Sequence, residues 1–181
     1  MSTIRFLKMF IRQPKINASI IPSSKRAAKG MVSGLDLNSM KYVIELGPGT
    51  GVMTDILAEQ LPPDCKVLLI ELEEEFIAPL QKKYDNRFEV VNCSASCLED
   101  LLKERNVSKV DLVISGLPFT LPEEVKKPLY STLYKLTEKG TCMRWFTYFP
   151  FLMKKHYKQF PYKKSCFVGW NFPPMWIYSV N

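Results

Sequence analysis

Residues 42–51 read Y-V-I-E-L-G-P-G-T-G, a short apolar run that passes through an acid into three glycines at every second position. This stretch constrains the fold more than any other. A buried strand ending in glycines and running straight into an amphipathic helix (Val52, Ile56, Leu57 and Leu61 apolar) brings bare backbone up against a ligand, because Gly47, Gly49 and Gly51 carry no Cβ. It reads as a cofactor cradle, and the rest of the chain as a nucleotide-binding sheet built outward from it.

Dinucleotide sites use G-x-G-x-x-G, whereas here the glycines fall as G-x-G-x-G with Glu45 two residues before the first. That pattern resembles the first motif of the S-adenosylmethionine methyltransferases. Beyond the following helix the run Val67–Ile70 ends in Glu71, where a doubly wound fold needs an acceptor for the two ribose hydroxyls. Glu71 can also be read as a helix-start acid, since Glu73, Glu74 and Glu75 follow it and acids favour helix N-termini. The resemblance implies cofactor contacts from Glu45, Gly47, Pro48, Gly49, Thr50, Gly51, Glu71 and Leu72. S-adenosylhomocysteine is then the product.

Strand and helix patterns alternate from this point. Strands are expected at 42–46, 66–71, 88–92, 110–115 and 141–148, and helices at 52–61, 74–84, 97–105 and 122–138. Ser165–Gly169 and Met175–Val180, around Pro173 and Pro174, read as a terminal hairpin-like pair. The expected fold is α/β: a class I, Rossmann-like methyltransferase with a seven-stranded, mostly parallel sheet, helices on both faces, and an N-terminal amphipathic helix. A chain of 181 residues accommodates one such domain, here 36–181, preceded by a basic helix and lid segment, 1–35.

The net charge of +7 is unevenly placed. Residues 1–35 hold seven bases and no acid, residues 36–139 hold 12 bases against 18 acids, and residues 140–181 hold six bases and no acid. Basic ends around an acidic middle suit a protein that docks on phosphates, of nucleic acid or of lipid. The first dozen residues form a candidate helix that collects Arg5, Lys8 and Arg12 in a narrow stripe on a body of Ile4, Phe6, Leu7, Met9, Phe10 and Ile11. Such a helix serves as a lid over the site or lies in an anionic membrane surface. Ser23 and Ser24 mark a helix start; they are plain caps or contacts for the methionine carboxylate of the cofactor. Neither a membrane span nor a signal peptide is evident, so the expectation is a cytoplasmic protein associated peripherally with the inner face of the cell membrane. The five cysteines show no metal-ligand spacing; no metal and no obligate protein partner are expected.

Two further loops carry chemistry. The third strand ends N-C-S-A, and the methyltransferase resemblance implies that Ser94 and Ala95 lie by the adenine ring. The fourth ends in Ser115 followed by Gly116-Leu117-Pro118-Phe119, next to the transferred methyl. With Pro22-Ser23-Ser24, Phe146-Thr147-Tyr148 and Asn171-Phe172-Pro173-Pro174, these segments resemble the ribosomal RNA adenine dimethyltransferases, and more closely the bacterial phospholipid N-methyltransferases related to them. The second resemblance implies methylation of the amine of phosphatidylethanolamine, or its mono- and dimethylated forms, towards phosphatidylcholine. RNA adenine methylation is the alternative. It calls for an Asn or Asp to hold the adenine amino group in a pattern like N-L-P-Y, and Gly116 stands at that position, so nucleic acid is the less favoured partner. The resemblance makes Gly116, Leu117, Pro118 and Tyr148 the catalytic candidates, and Phe119, Arg144, Tyr148 and Asn171 the substrate contacts. Tyr148 can equally be an interior strand aromatic, and Arg144 either pairs with phosphate or faces water. His156 sits among Lys154, Lys155 and Lys158 in a basic helix or loop.

Overall fold

The structure, a computed structural model, describes residues 25–169 and 174–181. The candidate helix at 1–12, Ser23, Ser24 and Asn171 lie outside the described residues. Helix α1 covers residues 25–32. There follow β1 (Tyr42–Leu46), α2 (Val52–Gln60), β2 (Lys66–Glu71), α3 (Ile77–Lys83), β3 (Phe88–Asn92), α4 (Leu98–Glu104), β4 (Leu112–Ser115), α5 (Glu123–Glu138), β5 (Cys142–Thr147), α6 (Pro150–Tyr157), β6 (Lys163–Val168) and β7 (Met175–Val180).

The strands form one seven-stranded sheet in the order β3-β2-β1-β4-β5-β7-β6. β1 to β5 pair in parallel, while β7 runs antiparallel to both β5 and β6. The continuous Val, Ile and Leu runs of β1, β2 and β4 follow from this, since a parallel strand is covered on both faces. On one face Val43, Val67, Leu69, Leu112, Ile114 and Ile177 pack with Ala28, Met31 and Val32 of α1 and with Ile56 and Leu57 of α2. On the other, Ile44, Leu46, Leu68, Ile70, Val113 and Trp145 pack with α4, α5 and the end of α6. The strand order turns back between β1 and β4, and at such a switch point the carboxyl ends of the strands leave a crevice for a ligand.

The differences from the expected elements are local. The helix expected at 74–84 is a 3-10 turn at Glu74–Phe76 followed by α3. Pro79 explains the change: with no N–H to give, it fits only within the first turn of an α-helix. A second 3-10 turn, Ala95–Cys97, precedes α4. β4 starts at Leu112 rather than at residue 110, and next to it the Asp111 carboxylate accepts the N–H groups of Lys41 (2.7 Å) and Tyr42 (3.0 Å) at the start of β1. The basic stretch around His156 is helix α6, opened by Pro150 at its first position. Among the described residues no helix is long and apolar enough to cross a membrane.

A cofactor cradle and an adjoining substrate loop

The cradle lies at the switch point. Gly47, Gly49 and Gly51 have φ of 71°, 54° and 82°, so each turns through the left-handed region where a side chain is strained. The loop is tied at three points: Gly47 N–H donates to Ile70 O (2.9 Å), Gly51 N–H to Pro48 O (3.0 Å), and Gly49 N–H to the Glu71 Oε2 (2.9 Å). Gly51 is closed in, since a Cβ there would stand 2.5 Å from the Tyr84 hydroxyl; Gly49 is open, with nothing within 4 Å of the same position. The Tyr84 hydroxyl, near the C-terminal end of α3, is 2.9 Å from Gly51 O and 2.8 Å from Asp55 Oδ1, sharing one proton between two acceptors. Tyr84 is a positioning residue that the sequence reading missed. Its partners lie 33 and 29 residues earlier, beyond any local pattern.

Glu45 sits below the loop on β1, 2% exposed, and accepts a hydrogen bond from Thr54 Oγ1 on α2 (2.8 Å). It therefore secures strand to helix rather than reaching solvent. Burial pushes its carboxyl up from 4.5 to about 8, against the opposing pull of the Thr54 bond. A raised carboxyl means that the folded protein holds a proton the unfolded chain has released. The stability this contributes is complete below about pH 4.5, falls as pH rises, and is gone above about pH 8. Glu45→Gln, measured by urea unfolding from pH 5 to 9, is expected to lose less stability with rising pH than the unaltered protein. Parallel curves would show that Glu45 titrates normally.

Glu71, 6% exposed at the end of β2, uses Oε2 for Gly49 N–H and Oε1 for Glu73 N–H (2.9 Å). A carboxylate has about four lone-pair sites, so two remain for hydroxyl donors. The helix-start reading of Glu71 fails on its burial and on this bond to the loop. Beside it Asn92 Nδ2 donates to both Glu71 O and Leu72 O (3.0 Å each), holding the turn after β2 against the end of β3. Asn92 is a second positioning residue that was overlooked. Leu72 is two-thirds exposed along this edge. Ser94 caps the 3-10 turn, its Oγ accepting from Ser96 N (3.3 Å) and lying 2.9 Å from Ser96 Oγ. Ala95 is buried in the core, which leaves its backbone for any ligand contact.

The loop after β4 lies directly against the cradle. Ser115 stands opposite Leu46, Gly116 N–H donates to Leu46 O (2.8 Å), and Leu117 N–H reaches Ser115 Oγ (3.3 Å). A Cβ on Gly47 would meet Leu117 Cδ2 at 2.9 Å, and one on Gly116 would meet Gly47 O at 2.9 Å. The two loops thus touch backbone to side chain and leave no room for a branch at Gly116. Phe119, half-buried, packs its ring 5.0 Å from that of Tyr157 on α6. Tyr148 follows β5, half-buried, with its ring edge-on to Phe146 at 5.5 Å.

Arg144 requires a correction. It neither meets a phosphate at the site nor faces water: it is 5% exposed, and its Nη1 donates to Met31 O (2.9 Å) and Ser33 O (2.8 Å) at the end of α1. The sheet is covered on this face, so an alternating position on β5 points into packing, and the guanidinium serves the last carbonyls of a helix. Among the described residues no cluster of three or more His, Cys, Asp or Glu is placed to hold a metal ion.

The comparisons with known proteins agree with this arrangement. The chain is 29% identical over 178 residues to the ornithine lipid N-methyltransferase of Singulisphaera acidiphila, covering 96% of this chain and 92% of that protein. It is 35% identical over 98 residues to the ribosomal RNA small subunit methyltransferase A of a Hydrogenobaculum species, covering 54% of this chain and 36% of the other. In structure it resembles a dimethyladenosine transferase from Plasmodium falciparum, with a TM-score of 0.55 and 20% identity over 85% of this chain and 60% of that one. The chain thus spans nearly all of the lipid enzyme and about a third of the bacterial RNA enzyme. The open cradle at Gly49 and the carboxylate of Glu71 fit S-adenosylmethionine as the methyl donor. With its residues 13–118 matching the family described as ribosomal RNA adenine dimethylase, the chain belongs to that family and is an S-adenosylmethionine-dependent N-methyltransferase.

Proposed function

We propose that the acceptor is the amine of a membrane lipid, phosphatidylethanolamine or its partly methylated forms, rather than adenine in RNA. The observation that carries this reading is the nearly full-length likeness to a protein named as a lipid N-methyltransferase, where the RNA relative matches over part of its length. The loop after β4 supports it. Gly116 stands where RNA adenine enzymes need a side-chain acceptor, and the contact with Gly47 O leaves that side chain no space without a shift of the cradle.

Bound S-adenosylmethionine supplies an electrophilic methyl group. What the protein adds is positioning. Glu71 and the glycine loop hold the donor, while Ser115 to Phe119, pressed on the same loop, set where the amine stands; alignment of this kind accounts for much of the gain in a bimolecular displacement. A lipid amine has a pKa of about 10 and must lose a proton before it attacks. Tyr148 is assigned to orient that amine or its phosphate. The enzyme is assigned to the inner surface of the cell membrane, where the basic ends of the chain suit anionic headgroups.

Incubation with labelled S-adenosylmethionine tests the reading. Detergent-dispersed phosphatidylethanolamine is expected to take up label, with ornithine lipid as a second acceptor arm and unmethylated ribosomal RNA as the competing one. Label in RNA alone overturns the proposal.

A further inference from the structure

Phe149, Phe151 and Leu152 are 56%, 96% and 66% exposed, three large apolar side chains within four residues at the start of α6. Exposed apolar residues scattered singly are ordinary, but a cluster marks a contact surface. Its position is fixed by the sheet. Phe149 N–H donates to Thr147 Oγ1 (3.1 Å) at the carboxyl end of β5, and β5 runs parallel to β4 with Trp145 opposite Ser115. The patch therefore leaves the same edge of the sheet as the glycine loop and the loop of Ser115 to Phe119. The Phe119–Tyr157 ring contact binds that substrate loop to α6 itself.

The helix is two-sided. Met153 and Tyr157, four residues apart, turn into the core, while Phe151, Leu152, Lys154, Lys155 and Lys158 are exposed. Phe151, Lys155 and Lys158 fall on one stripe, so the lysines stand behind the apolar tip with stems long enough to keep their charges in water. Residues 140–181 contain no acid to repel an anionic surface.

We propose that the start of α6 is a membrane-insertion tip: Phe149, Phe151 and Leu152 enter the acyl boundary of an anionic bilayer while Lys154, Lys155 and Lys158 meet the headgroup phosphates. The inference rests on the amino-lipid reading and deepens it, because the tip presents the substrate loop to the headgroup layer from which the amine comes. Apolar insertion and basic attraction are the two terms that hold a peripheral helix on such a surface. A polyanion such as RNA would use the lysines but has no need of Leu152.

The test uses the full chain with vesicles of phosphatidylcholine containing phosphatidylglycerol, and of phosphatidylcholine alone. Phe151→Ser with Leu152→Ser is expected to lower the partition coefficient on anionic vesicles about tenfold or more. Both side chains are exposed, so the melting temperature should stay near that of the intact protein. Phe151→Trp should gain fluorescence quenching by bromine-labelled acyl chains beyond that of the three native tryptophans. Unchanged partitioning of the double variant, or no added quenching, overturns the insertion tip. So does lysine-dependent binding to ribosomal RNA without vesicle binding. Methyl transfer to lipid dispersed in detergent is measured alongside. Its absence in the intact protein counts against the lipid reading itself, whereas transfer that persists in the double variant while vesicle binding falls locates the defect in docking.

Discussion

Gly49→Val is expected to reduce S-adenosylmethionine affinity about a hundredfold or more, equivalent to about 3 kcal/mol, while the protein stays folded. The position is left-handed, with φ of 54°, and a β-branched residue there costs roughly 1–2 kcal/mol of backbone strain. Relief of that strain would swing the loop and break the Gly49 N–H bond to Glu71. A side chain that stays in place instead projects into the open space over the loop, where no protein atom lies within 4 Å. Either outcome spoils the cradle and spares the core. Titration calorimetry and a thermal melt check the two halves separately. Gly51→Val is the contrasting control, since its Cβ strikes Tyr84 and should lower stability as well. Normal affinity in the Gly49 variant would mean that the donor binds elsewhere.

Glu71→Ala is expected to weaken the donor by about tenfold to a hundredfold, the value of a charge-assisted hydrogen bond or two at about 1.5–3 kcal/mol. Part of that loss is indirect, because the same carboxylate holds Gly49 and Glu73 by their N–H groups. Glu71→Gln separates the parts. It keeps one acceptor oxygen but offers an amide N–H to a neighbouring N–H donor, so its affinity should fall between those of the unaltered and alanine proteins. Calorimetry showing all three alike would remove Glu71 from the site.

The parallel core of the fold was legible because period and punctuation agree there. The runs ending at Leu46, Glu71, Asn92 and Ser115 each stop in turn residues, and the strands bear the expected ends to the residue. The glycine loop and the loop of Ser115 to Phe119 were legible as motifs, and the sheet brings them into contact. Contacts that depend on which face of a strand is covered were hidden. Arg144 has an alternating neighbourhood that suits an exposed edge, and only the packing of α1 on β5 and β7 turns it inward. Tyr84 holds the Gly51 carbonyl and the Asp55 carboxylate from the next helix, Asn92 holds two main-chain carbonyls from the next strand, and no spacing announces such partners. Phe149, Phe151 and Leu152 carry no sequence signal of their own, because a short apolar run around a proline suits core and surface alike.

The Arg144 clamp also ties the seating of α1 to the end of the chain. Its partners, Met31 and Ser33, lie 113 and 111 residues earlier, and Gly30 in the same helix nests against Ile177 and Val168 so closely that a Cβ would come within 2.9 Å of each. The seat of α1 is therefore made by strands that leave the ribosome late. β1, β2 and β3, with the glycine loop and Glu71, pair among near neighbours and can form first. The donor loop thus draws on the first strands of the chain, whereas complete seating of the helix at residues 25–32 needs the last ones.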